Sequence, residues 1–139
     1  MRSLLFVPGG SAKMMAKAAD SGADSALFSA TNQDRGSNGV GAMSYSGTLQ
    51  NVGEAMPYSC NGVRVQGRAY DMIQRNYFSH VIAGCGQYVF SMMSYAGVRY
   101  SSAGENIGWA RGCSGASGCV GYINNGFMNS PDHRANMLN

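Results

Sequence analysis

The chain has 139 residues, 45% hydrophobic and only 12% charged, with a formal net charge of +3. That length suits one domain with a modest core. No apolar run approaches the ~20 residues of a membrane span, and the arginines are scattered rather than gathered into the basic stripe that nucleic acid selects.

The opening stretch MRSLLFVPGG reads as a short strand from Leu4 to Val7 and a Pro-Gly-Gly turn. A helix capped by Ser11 and ending near Gly22 follows. Its apolar run LLFV is shorter than the ~7–15 residues of a secretory core, so no signal peptide is assigned. Both lysines, Lys13 and Lys17, lie here. The run RSLLFVPG with the later GAD resembles the start of the citrate lyase beta-subunit/HpcH aldolase family. That family's barrel needs ~200–250 residues, and no acidic or arginine motif of it follows. Residues 1–25 are therefore read as a leader or fusion segment without lyase activity.

From Ala26 the pattern turns mostly helical. ALFSATNQDRG reads as a helix, and a Gly-rich turn then leads to a second helical stretch, LQNVGEAM. In VRVQGRAYDMIQRNYF, Val65, Ala69, Met72 and Ile73 form one helical stripe. Val89, Met92, Met93 and Ala96 form another, with Gly97 as its C-terminal stop. AGENIGWA is too Gly-broken for a helix and reads as a strand, with Ile107 and Trp109 alternating with small residues. Val120, Ile123 and Phe127 share one helical face, and Ser130-Pro131 caps a final turn. One strand is not a sheet: its partners lie either in segments read here as loops or outside this chain.

Four cysteines, Cys60, Cys85, Cys113 and Cys119, suit two disulfides and an oxidising compartment. Three pairings exist. The loop SGASG between Cys113 and Cys119 can close on itself, which favours Cys113–Cys119 with Cys60–Cys85; four reduced thiols are the alternative. Without a CxxC pair, a zinc site of four cysteines is not expected. GCGQYVF is weakly similar to the nucleophile region of papain-like proteases, but those need a histidine ~130–150 residues downstream, and no such spacing exists.

The chain has two histidines, His80 in RNYFSH and His133 in SPDHR, and two glutamates, Glu54 and Glu105. Glu54 falls in a surface helix. Glu105 falls on the apolar strand, where a buried carboxylate is costly unless a partner meets it. Two imidazoles and a carboxylate are a common ligand set for a divalent metal and can also move protons near neutral pH. Spacing alone does not bring them together.

Four ordered blocks carry a second resemblance: ATNQDRGSNGVGAMSYSGTLQ, RAYDMIQRNYFSH, AGVRYSSAGENIGWA and FMNSPDHRANMLN. Together they resemble the bacterial branch of the CAP superfamily, the SCP-like extracellular domain, over residues 26–139. The resemblance implies an α+β fold, an α-β-α sandwich that is mostly helical here, with a central cleft lined by two His and two Glu. By position, His80, Glu105 and His133 supply three of the four. The fourth belongs to a W-x-x-E motif, where this chain has Phe127 in the Trp place and Ser130 in the Glu place. Asn106 and Ser130 are expected beside the cleft. Family members continue past this point with further strands. The domain 26–139 is thus expected to be truncated at its C-terminus, with an open sheet edge near residues 104–109 prone to self-association.

The implied function is that of an extracellular or cell-envelope protein that binds a lipid or sterol, a cell-wall glycan or another protein. His80, His133 and Glu105 would hold Zn²⁺ or another divalent ion, Glu105 as ligand or as orienter of a bound water. Two alternatives stand beside this: a metal-dependent hydrolase using the same cleft, and a purely structural module in which the three side chains hydrogen-bond to one another.

Overall fold

Val65, Ala69, Met72 and Ile73 do not belong to one helix. In the computed structural model, which describes the backbone of Ser3–Leu4 and residues 23–139, the chain forms a hairpin there and only then a helix. Strand β2 (Pro57–Cys60) pairs antiparallel with β3 (Val63–Gln66), Cys60 opposite Val63. Asn61 (φ 48°) and Gly62 (φ 77°) make the two-residue connection. Both residues take positive φ, the turn that an Asn-Gly pair favours because its twist matches the strands it joins. A helical stripe and a strand can both bury Val65, so periodicity did not separate them. The Asn-Gly signal decides it.

β1 (Ser3–Leu4) comes first in the chain, followed by helix α1 (Ala23–Ser37) and α2 (Gly47–Glu54). After the hairpin come α3 (Arg68–Gln74), then β4 (Val81–Ile82) antiparallel to β5 (Gln87–Tyr88), and α4 (Val89–Tyr95). The order closes with β6 (Glu105–Asn106), α5 (Gly115–Met128) and α6 (Pro131–Leu138). The fold is α+β. Strands occupy segments read from the sequence as loops or helix, in three separate two-stranded pairs among the described residues.

β6 is paired as well. Ser3–Leu4 runs parallel beside Glu105–Asn106, so the edge expected to lie open at these two residues is covered on one side. The reason is in the backbone: a strand's unpaired N–H and C=O groups take the first extended segment that reaches them. The remainder of the leader, with its Pro-Gly-Gly turn and Ser11-capped helix, lies outside the described residues. α1 runs unbroken across residues 25 and 26.

The helix ends follow the sequence. After α3, Asn76 takes a left-handed conformation (φ 52°), its N–H bonds Ile73 O, and the Tyr77 N–H returns to Met72 O at 2.8 Å. This pair of bonds satisfies the last carbonyls of the helix and turns the chain back over it. Gly97 ends α4 in the same way, with Val98 N–H bonded to Met93 O.

Two apolar cores form. Val52, Met56, Val65, Met72, Ile82, Val89, Met92, Met93 and Ile107 are buried together. Leu27, Ala110, Val120, Ile123, Phe127 and Met137 make the second, where α5 packs on α1 and α6. The segment after β6 joins them, Ile107 in one core and Ala110 in the other. Trp109, expected on the same strand, is half-exposed. Both favoured disulfides are present, Cys60–Cys85 and Cys113–Cys119, with Cα atoms 5.4 and 5.2 Å apart. The first links the two hairpins, beside an Asn61 side-chain bond to Cys85 O.

Candidate functional site around Glu105

β6 is two residues long, and both are buried. Glycines on either side allow its close approach to neighbours. A Cβ at Gly104 would meet Asn136 Oδ1 at 2.6 Å, and one at Gly108 would meet Ile123 and Phe127 at 2.9 Å. The GENIG sequence therefore slots β6 against α5 and α6, carrying a carboxylate into the interior.

The carboxylate is matched there. Arg68 Nε donates to Glu105 Oε1 at 3.0 Å, and both side chains are almost wholly excluded from solvent (0% and 3% exposed). His80 Nδ1 meets Glu105 Oε2 at 2.7 Å. A carboxylate can only accept, so the proton of this bond belongs to Nδ1. Its ring is about half-exposed (48%). Among the described residues, His80 Nε2 has no hydrogen-bond partner. The sequence expectation that His80 and Glu105 come together is met geometrically, by direct contact across 25 residues.

His133 sits in the first turn of α6, on the other side of β6. Ser130 has the backbone of a helix cap but does not cap with its side chain; its Oγ lies 2.7 Å from His133 Nδ1 instead. The His133 ring stacks on Phe127 with centroids 5.0 Å apart. Asn106 Nδ2 donates to His133 O at 3.0 Å, and Asn136 Nδ2 donates to Asn106 Oδ1 at 2.9 Å. Asn106 thus ties β6 to α6 through both ends of its carboxamide. Glu105 reaches His80, while His133 joins through its backbone. No bond links the His133 ring to Glu105 among the described residues.

Arg68 was not found from the sequence. It stands at the first position of α3, next to Ala69 on the apolar stripe, and looks like an ordinary surface cation. The available signal was Glu105: a buried carboxylate requires a cation. The positioning of Arg68 is local. Gly67 (φ 71°) lies so close to the backbone of Glu54 that a Cβ would come within 2.2 Å, and its N–H continues the hairpin ladder to Met56 O. Any other residue there would push Arg68 away from the core.

Arg68 also donates through Nη1 to the Tyr77 hydroxyl at 2.9 Å and through Nη2 to the Ser79 carbonyl. The Tyr77 hydroxyl donates in turn to Asp71 Oδ2. Asp71, also buried, takes a two-pronged bond from Arg75 at 2.7 and 2.5 Å. Burial, and then the bond to Asp71, push the Tyr77 phenol above its ordinary pKa of 10.0. The bond to Asp71 raises the Arg75 guanidinium above its already high value.

Among the described residues, no group of three His, Cys, Asp or Glu side chains is placed to hold a metal ion. Both oxygens of Glu105 are engaged, so its geometry is that of an orienting group for His80. Among the described residues, no helix is long and apolar enough to cross a membrane. Compared with family models, with curated proteins and with solved structures, the chain matches none.

Proposed function

We propose that this chain is an extracellular domain of the CAP type that binds its ligand at His80, in a cell-surface or envelope role. One observation carries the reading: a buried, charge-paired Glu105 holds Nδ1 of a half-exposed imidazole, leaving Nε2 as the group presented to a ligand. A polar network whose only task was to fix helix ends would have no need of an exposed ring. The four sequence blocks around His80, Glu105 and His133 support the family, and the two disulfides suit an oxidising, extracellular setting. Pull-down on purified cell-wall polysaccharide and on phosphatidylglycerol vesicles tests the reading. Retention on one of them that is lost in His80→Ala supports it. Retention on neither, or equal retention of the variant, overturns it.

A second reading, a metal-dependent hydrolase, is favoured by one feature. Each histidine has Nδ1 engaged, His80 by Glu105 and His133 by Ser130, which is the outer-shell pattern that orients an imidazole for metal through Nε2. Zinc titration of the folded protein and of His80→Ala separates the two: equal binding removes the metal and the hydrolase together.

A further inference from the structure

We propose that Arg68 is the positioning residue of the His80 site, and that Tyr77, Asp71 and Arg75 form a backing unit that holds Arg68 in place. The inference rests on the reading above that His80 is the residue that meets the ligand.

Arg68 grips the His80 site from two directions. Nε holds the carboxylate that bonds the ring, and Nη2 holds the carbonyl of Ser79, the residue just before His80. One rigid guanidinium thus fixes both the backbone that carries the imidazole and the partner that orients it. A planar fork with donors in fixed directions suits this task; a lysine ammonium has no such geometry. The third arm, Nη1, goes to the Tyr77 hydroxyl, which passes its own hydrogen to Asp71. Asp71 is clamped by Arg75, whose Nη1 also bonds Ala83 O just past β4. The backing unit is therefore anchored on both sides of His80 in sequence. Charges balance within each half: Arg68 against Glu105, Arg75 against Asp71. Tyr77 joins the halves without adding charge. Guanidinium Cζ atoms of both arginines lie over its ring, at 5.7 and 5.1 Å, which is a further reason for the phenol to stay in register.

The consequence is chemical. With Glu105 fixed as an acceptor, neutral His80 keeps its proton on Nδ1 and an open lone pair on Nε2, the reverse of the tautomer that a free imidazole prefers. Long-range ¹H–¹⁵N correlation spectra of ¹⁵N-histidine-labelled protein read this directly, without ligand, well above the ordinary histidine pKa of ~6.5. Wild type shows His80 as the Nδ1–H tautomer. Arg68→Lys lowers the Nδ1–H to Nε2–H ratio about tenfold, as loss of a charge-assisted hydrogen-bond geometry implies. Tyr77→Phe lowers it less. The His133 signals stay in place in both and report an intact fold. Should Arg68→Lys fail to fold, Tyr77→Phe decides alone. A wild-type His80 that is mainly Nε2–H, or a folded variant with an unchanged ratio, overturns the proposal. Absence of ligand retention in the pull-down would leave these spectra as they are, so the two failures are distinguishable.

Discussion

Arg68 and Glu105 form an ion pair at 3.0 Å with both side chains shut away from water. Such a pair is expensive to bury, and breaking it is worse than never having made it, because the survivor is left charged in the interior. Glu105→Ala should therefore destabilise the fold by about 3–5 kcal/mol. Glu105→Gln keeps the shape and one acceptor and should cost less. Urea unfolding of the two variants against wild type measures both. A loss below ~1 kcal/mol in Glu105→Ala would place the pair in solvent, contrary to its burial.

The alkaline limb of stability should carry a signature of Tyr77. Its folded pKa is raised above 10.0, first by burial and then by the bond to Asp71. Below the unfolded value both states hold the proton, and the stabilising contribution is complete. Between the unfolded and the folded value the unfolded chain has lost its proton while the folded one keeps it, so stability falls as pH rises. Unfolding midpoints recorded upward from about pH 9 should drop more steeply in wild type than in Tyr77→Phe. Parallel curves would mean that the phenol is solvated in the native state.

Gly108→Ala should act on His133 from a distance. The new Cβ would lie 2.9 Å from Ile123 Cγ2 and Phe127 Cζ, too close for either to stay. Overpacking of this kind costs about 1–3 kcal/mol. Phe127 carries the stacked His133 ring, so the His133 ring-proton shifts should move with the loss of stability. Thermal unfolding together with one-dimensional NMR reads both quantities, and unmoved His133 signals would contradict the packing.

The two disulfides should differ in value. Cys60–Cys85 closes a separation of 25 residues and Cys113–Cys119 one of 6. Chain entropy alone then gives about 3.5 kcal/mol for the first and about 2.2 kcal/mol for the second. Paired serine variants at each bridge, compared by denaturant midpoint, should rank in that order. The reverse ranking would show that α5 depends on its short N-terminal loop more than the first core depends on its hairpin link.

The helical stripes were readable because their residues point into a core. Val89, Met92, Met93, Val120, Ile123 and Phe127 are all buried as their spacing requires. The two-residue strands β4 and β5 were not readable, since a period of two needs more than one repeat to be seen. Val65, in the four-residue β3, passed as helix because its spacing to Ala69, Met72 and Ile73 also fits one helical face. His80 and Glu105 were legible as chemistry, and their meeting followed from the resemblance, but the residue that organises the contact was not legible, because it is an arginine beside an apolar stripe. Nothing local distinguishes Arg68 from Arg64, which is exposed; only the need of a buried carboxylate for a cation points inward.

β6 joins Glu105 and Asn106 by a single peptide, and adjacent side chains on a strand face opposite ways. One of them holds the His80 ring, and the other holds α6 at the His133 carbonyl and at Asn136. The His80 ring and the backbone of His133 are thus held by neighbouring residues of one strand. A substitution that displaces β6 itself would therefore disturb both histidine-bearing segments, whereas one confined to the Glu105 side chain would leave the α6 contacts of Asn106 in place.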